Sequence, residues 1–251
     1  MNLKHISKEA KKLSKFKDKY KNERCFIIGN GPSLRMEDLE KLHANGEYTF
    51  GSNRVYVAFD KTKWRPTFYV IQDGEMIREY HNEIEGVNIK NKFISDYAIL
   101  KWNCPRIRSG YLFHLQCDQF YPFCPDFTDD ITKGIPEGFT VTYACIQIAA
   151  YMGFDKIYLL GVDHNYSTVK DASGKIVELQ QIRNYFIDSY SDNRQLNAPQ
   201  THKSGVAYTK AEVYSKLHGF RIYNATRGGM LEAFERVDFD EITQKSANSK
   251  K

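Results

Sequence analysis

The feature that most constrains this chain is a succession of short apolar runs, each ending on glycine or a polar residue and separated by segments of helical pattern. Residues 25–28 form the first run, 36–43 carry helical spacing, and 49–52 and 67–71 are further runs. Apolar runs this short, alternating with helical segments, read as parallel strands joined by helical crossovers. A clearer unit follows. Residues 140–152 read as a helix capped by Gly153, and 156–160 as a buried strand ending at Gly161-Val162-Asp163. The expected fold is α/β, a Rossmann-like and mostly parallel sheet flanked by helices.

The rest of the chain is less regular. Residues 93–139 are rich in Asp, Pro and aromatics. Residues 164–206 are polar and hold one helical stretch at 177–190, and a connection this long in a compact domain reads as a lid over an active site. A helix at 209–217 and a strand at 221–223 follow, and the tail after 243 is too poor in apolar residues to pack. A chain of 251 residues can bury one sizeable core. The domain plan is thus a leader helix at 1–24, a single nucleotide-binding domain at 25–243 with its lid at 164–206, and a frayed tail at 244–251.

Charge is concentrated at the start. The first 24 residues carry nine Lys and Arg against Glu9, Asp18 and Glu23, out of a net charge of +5. Leu3, Ile6, Ala10, Leu13, Phe16 and Tyr20 recur at helical spacing opposite Lys4, Lys8, Lys11, Lys15 and Lys19. Such a helix can lie on anionic lipid, or pack against its own domain or a second copy of the chain. Nucleic acid is not an expected partner, because charge elsewhere is nearly balanced and no nucleic-acid module is present. Five cysteines without a CxxC pair indicate neither a disulfide framework nor a zinc site, which fits a reducing compartment. No stretch is long and apolar enough to span a bilayer and no signal peptide is recognised, so the expected location is cytoplasmic.

The chemistry is expected at Gly29-Asn30-Gly31-Pro32-Ser33, which follows the first strand and precedes the first crossover helix. Open α/β sheets bind ligands at such strand ends. The glycines let backbone approach a phosphate or ribose, Asn30 offers an amide, and Ser33 can cap the next helix or donate to a ligand oxygen. The blander reading is a tight strand-to-helix turn. Leu34 stands where a dinucleotide fingerprint has its third glycine, and the Lys-Ser or Lys-Thr pair of a P-loop is missing, so neither of those ligands is supported. Asn53 and the pair Gln72-Asp73 end the next two runs and would face the same crevice. Each alone reads as a strand-end hydrogen bond or helix cap.

The runs IIGNGPSL (27–34), TFGSNRVY (49–56) and ACIQIAAYMGFDKIYLLGVD (144–163), followed by His202-Lys203, resemble bacterial sialyltransferases of glycosyltransferase family 42. They also resemble a wider superfamily that includes archaeal 6-hydroxymethylpterin diphosphokinases. The resemblance covers roughly residues 24–225. It implies a variant of the GT-A fold that binds a CMP-sugar without a metal and inverts the anomeric centre. Carried over, it places Asn30, Gly31 and Ser33 around the nucleotide, Asn53 on the donor, and Gln72 or Asp73 on the nucleotide or sugar. His202 becomes the base, since a neutral imidazole can take a hydroxyl proton near neutral pH. By residue type alone His164, beside Asp163, is its rival, as base or as metal ligand. The helix beginning near Thr140, with Thr142, would hold the departing phosphate, and Tyr166 or Asn165 would contact it. Val141-Thr142 replaces the family's Ser-Gly pair, which leaves another sugar donor open. The triplet Asp238-Phe239-Asp240 matches a metal-binding DxD pattern but lies far from any internal strand end.

Three functions follow. The first is metal-independent glycosyl transfer from a CMP-activated acidic sugar to a glycan or glycolipid acceptor, with the leader at the inner face of the plasma membrane. The second is Mg²⁺-dependent pyrophosphoryl transfer from ATP to a pterin-like alcohol, with Asp73 and Asp163 as ligands. The third is a non-catalytic nucleotide-binding protein.

Overall fold

A computed structural model of the chain describes residues 3–117, 124–179, 183–191 and 198–244, with side chains from Lys8 onward. In chain order the elements are α1 (Leu3–Leu13), β1 (Arg24–Ile28), α2 (Met36–Asn45), β2 (Tyr48–Ser52), β3 (Phe68–Ile71), α3 (Gly74–Glu79) and α4 (His81–Gly86). They continue with β4 (Asn91–Ser95), α5 (Tyr97–Trp102), β5 (Tyr111–Phe113), β6 (Leu115–Gln116), β7 (Ile135–Pro136), α6 (Val141–Tyr151) and β8 (Lys156–Leu160). The remainder are β9 (Thr168–Lys170), β10 (Ile176–Glu178), α7 (Thr201–His218), β11 (Arg221–Asn224), β12 (Glu235–Arg236) and α8 (Phe239–Ile242).

Eight strands form one sheet in the order β12-β11-β8-β1-β2-β3-β4-β5, and every pairing in it is parallel. The first five run outward from β1 in one direction. The chain then returns to place β8 on the other side of β1, so the topology switches between β1 and β8. Ligand crevices in open parallel sheets form at such a switch, outside the carboxyl ends of the strands. The strands are apolar on both faces because each face is covered. One layer packs α6, α7 and the leader against Ile27, Phe50, Val70 and Leu159, and the other packs α2, α3 and α4 against Phe26, Ile28, Tyr69 and Leu160.

The structure corrects several sequence expectations. The leader is not one helix over 1–24. It is α-helical to Leu13, continues as a 3₁₀ turn at Ser14–Phe16, and breaks at Asp18 and Asn22, whose φ angles of 56° and 65° are left-handed. Leu13 and Phe16 are nevertheless buried, and Tyr20 stacks on Phe154 with centroids 5.0 Å apart. The leader therefore packs on its own chain. Glu9 on α1 is buried too, receiving Arg106 at 2.9 Å and Lys12 at 3.0 Å.

The helix expected at 177–190 is absent among the described residues. An antiparallel hairpin, β9 with β10, occupies part of that span, and a 3₁₀ turn lies at Asp188–Tyr190. The hairpin turn is built by Asp171, whose Oδ1 accepts from the amides of Ser173 at 2.9 Å and Lys175 at 3.0 Å. The middle of the chain, expected to be irregular, supplies β4 and β5 and so extends the sheet by two strands. Helix α7 starts at Thr201, eight residues before the expected position. Of the expected frayed tail, residues 245–251 lie outside the described part. Among the described residues no helix is long and apolar enough to cross a membrane, and all five cysteines are free thiols.

Candidate active site

The two turns at the switch point are pressed together. Gly29 N donates to Leu160 O at 2.8 Å, and Gly31 N donates to Gly161 O at 2.9 Å. A Cβ on Gly29 would lie 2.2 Å from Gly161 O, and one on Gly31 would lie 2.0 Å from the Asp163 carboxylate. Both glycines are thus required by the approach of the two strand ends, before any ligand is considered. Leu34 N donates to Gly31 O at 3.2 Å, which makes Pro32 and Ser33 the corner residues of a β-turn, with Pro where its fixed φ suits. Ser33 does not cap α2. Its hydroxyl donates to Asp163 Oδ2 at 2.8 Å, and the residue preceding α2 is Arg35, whose amide donates to Asp38 at 3.2 Å.

A cavity of about 490 Å³ opens beside this switch point. Of the residues expected at the site, Gly29, Asn30, Gly31, Asn53, Gln72, Asp73, Thr140, Thr142, Asp163 and Tyr166 line it; Pro32, Ser33 and His202 do not. Three adjacent strands, β1, β2 and β3, each contribute an amide side chain at their carboxyl end. Asn30 Nδ2 donates to Ser52 O at 3.2 Å and Gln72 Nε2 to Glu137 O at 3.2 Å. Those bonds fix the amide orientation, because a flip would set oxygen against carbonyl oxygen. The opposite atoms, Asn30 Oδ1 and Gln72 Oε1, are buried without a hydrogen-bond partner, as is Asn53 Oδ1. Orphaned buried acceptors are costly and call for a donor from a ligand or water.

Asp73 is committed elsewhere. Its Oδ1 accepts from Glu75 N at 2.8 Å and Met76 N at 3.1 Å, capping α3. On the far wall the chain enters α6 through Gly138 and Phe139, both left-handed at φ 57° and 56°. Gly138 is obligatory, since a Cβ there would meet the Tyr143 ring at 2.2 Å. Thr140 caps α6 by accepting from Thr142 N at 3.3 Å, so the amide end of an 11-residue helix borders the cavity.

The two histidines separate. His202 is exposed on the first turn of α7, inside a helix and not in a loop ahead of one. His164 lines the cavity in a left-handed conformation, φ 52°, with its ring edge-on to Tyr208 at 5.6 Å. Burial pushes its pKa down and so favours the neutral ring, opposed by a hydrogen bond to the Thr201 backbone. Burial also pushes Asp163 up, against the pull of the Ser33 hydrogen bonds, and raises the Tyr166 hydroxyl.

Sequence reading missed Glu137, Tyr185 and Tyr190, which all line the cavity. Glu137 is held above the usual carboxylate range by burial. Its one sequence signal is its place just before the Gly138 turn. The DxD triplet serves the fold, since Asp238 caps α8 and Asp240 pairs with Lys41 at 2.9 Å.

Residues 1–169 match the family model described as 6-hydroxymethylpterin diphosphokinase MptE-like. The chain belongs to this MptE-like family. None of the curated proteins matches the sequence of this MptE-like chain. Two solved structures share its fold. The MAf glycosyltransferase from Magnetospirillum magneticum AMB-1 superimposes with a TM-score of 0.55 at 14% identity, over 94% of this chain and 38% of that one. The sialyltransferase CstII from Campylobacter jejuni, in complex with a substrate analogue, cytidine-5′-monophosphate, gives 0.52 at 16% identity, over 86% of this chain and 85% of its own. The chain thus spans little more than a third of the MAf protein. Both resemblances read from the sequence, to sialyltransferases and to the MptE-like superfamily, are met by these relatives, and the shared architecture is the mostly parallel α/β sheet.

Proposed function

We propose that this MptE-like chain transfers a sugar from a nucleotide donor, a CMP-activated acidic sugar by resemblance, to a glycan or glycolipid acceptor. One observation carries the reading. Asn30, Asn53 and Gln72, each with a buried and unpartnered amide oxygen, line one polar cavity together with the amide end of α6, and a nucleotide sugar brings hydroxyl donors and a phosphate to the same place. Gly29 and Gly31 shape the turn beside it, Asn30, Asn53 and Gln72 take ribose or sugar hydroxyls, and Thr142 with the α6 amides takes the phosphate.

The acceptor hydroxyl attacks the anomeric carbon as the bond to the phosphate oxygen breaks, and the configuration inverts. The nucleotide leaves with the negative charge, which the α6 terminus stabilises without a metal, assisted by the Tyr166 hydroxyl. The proton passes to a histidine. Resemblance favours His202; the cavity lining favours His164, whose neutral form burial favours. We take His164 as the base and keep His202 as its control.

The family description favours a second reading, Mg²⁺-dependent diphosphokinase. Against it, Asp73 and Asp163, its candidate ligands, already bind the α3 amides and Ser33. A thermal-shift panel of CMP, UDP, GDP and ATP with and without EDTA separates the two, because a ligand of the folded state raises its melting point. Stabilisation by CMP that survives EDTA is the expected result. Stabilisation by ATP alone, and only with Mg²⁺, overturns the transferase reading.

A location at the membrane face would rest on charge alone. Leu13, Phe16 and Tyr20 of the leader pack on the core, while Lys8, Lys11, Lys15, Lys17 and Lys19 are exposed.

A further inference from the structure

We propose that residues 183–191 form a strap carrying the stacking wall for the planar base of the ligand, Tyr185 backed by Tyr190, and that Arg54 is the positioning residue that latches this strap. The proposal rests on the reading that the cavity takes a nucleotide.

The Tyr185 and Tyr190 rings stack with centroids 4.2 Å apart and planes 20° apart, and both residues line the cavity. Tyr190 is 2% exposed whereas Tyr185 is half-buried, so Tyr185 is the accessible member of the pair. A flat ring held rigid from behind gives a base a large contact at small entropic cost.

The strap has one 3₁₀ turn and no strand pairing, so it depends on attachments to the rest of the chain. At its start, Asn184 accepts from Ser167 N at 2.7 Å and donates to Ser167 Oγ at 2.8 Å. In the middle, Phe186 N donates to Asn30 O at 3.1 Å, tying the strap to the glycine-rich turn itself. At its end, the Arg54 guanidinium donates to the carbonyl oxygens of Ser189, at 3.4 Å, and of Tyr190.

Arg54 is only 6% exposed, lies 4.2 Å over the Tyr80 ring and reaches the Glu83 carboxylate at 3.5 Å. A buried guanidinium is costly unless its donors are used. Here Nη1 is used on the strap backbone and Nη2 faces Glu83, while Nε is buried without a partner. Arg54 follows Asn53, whose left-handed backbone ends β2 at the cavity wall. One dipeptide thereby supplies a ligand-facing amide and the latch behind it. Lysine keeps the charge but has one nitrogen where arginine uses two, Nη1 on the strap carbonyls and Nη2 toward Glu83, and it lacks the flat group that lies over Tyr80.

The test uses the full chain with CMP and ribose 5-phosphate as probes in calorimetry, and hydrogen exchange of the strap amides. Tyr185→Ala is expected to weaken CMP about tenfold and ribose 5-phosphate less than about twofold, with Tyr185→Phe like the parent. Arg54→Lys is expected to speed exchange of amides 184–190 about tenfold and to weaken CMP, leaving the β1 and β8 amides unchanged. Equal CMP affinity in the parent and Tyr185→Ala overturns the stacking wall. Unchanged strap exchange in Arg54→Lys overturns the latch. A parent chain that binds none of CMP, UMP, GMP and AMP overturns the nucleotide reading, and the wall with it, before any variant is made.

Discussion

Ser33 donates its hydroxyl to Asp163 at 2.8 Å across the switch point, joining residues 130 positions apart in sequence. The bond closes the junction between the β1 and β8 turns and sets one carboxylate oxygen where Gly31 leaves room for it. Gly29, Gly31, Ser33 and Asp163 are thereby held in place by this junction before a ligand arrives.

Substitution of the turn glycines tests this junction. Gly29→Ala must push a methyl group into the Gly161 carbonyl, a backbone atom that cannot swing away. Urea unfolding is expected to show a loss of about 3 kcal/mol or more. At Gly174, left-handed but with open space around it, alanine should cost only about 1 kcal/mol of backbone strain. Similar losses at the two positions would contradict the close approach.

Glu9 ties the leader to the sheet edge. Its hydrogen bonds from Arg106 and Lys12 outweigh burial and hold its pKa below the usual value. A depressed carboxylate contributes stability above its unfolded pKa and loses it as pH falls through the folded value. Glu9→Gln should therefore melt lower than the parent at pH 7, by about 1–2 kcal/mol in stability, with the gap closing toward pH 3. A gap that does not change with pH would show that packing, not charge, holds the leader.

Glu137 has the opposite sign. Burial raises its pKa, so the folded state binds its proton more tightly than the unfolded chain does. The stability it adds is complete below the unfolded value and lost as pH rises through the folded one. Glu137→Gln is expected to gain in melting temperature relative to the parent between pH 4 and pH 8. A relative gain that shrinks over that range would remove Glu137 from the list of strained cavity groups.

The base assignment is tested by two variants in parallel. With His164 as base, His164→Ala should cut turnover about a hundredfold or more while CMP affinity stays within about threefold, and His202→Ala should leave both nearly unchanged. The reverse pattern would move proton transfer to the first turn of α7.

What was legible in the sequence follows burial on both faces. β1, β3 and β8 are runs covered by helices on either side, so their apolar character is unbroken, and α6 is apolar nearly all round. β4 was hidden by Lys92, a charged residue mid-strand that is 1% exposed because its ammonium donates to the carbonyls of Ile84, Glu85 and Val87. Only the folded chain brings those carbonyls together. The sequence signal for α7 begins late because His202-Lys203-Ser204-Gly205 is polar and holds a glycine. Its buried face of Ser204, Ala207, Tyr208 and Ala211 supplies from packing what propensity lacks. Within the cavity, the strand-end amides announced themselves by recurrence, whereas Glu137 and the strap tyrosines sit in no recurring pattern.

The docking of the leader on α6 has a practical meaning. Asp18 N and Tyr20 N donate to the carbonyls of Tyr151 and Met152 at the tail of that helix, whose head borders the cavity. Eleven residues of helix place about 16 Å between the two ends. Anything that grips the exposed lysines beyond Leu13, whether a lipid headgroup, a resin or a fused tag, holds the molecule by its base and leaves the mouth free to trade substrate with solvent.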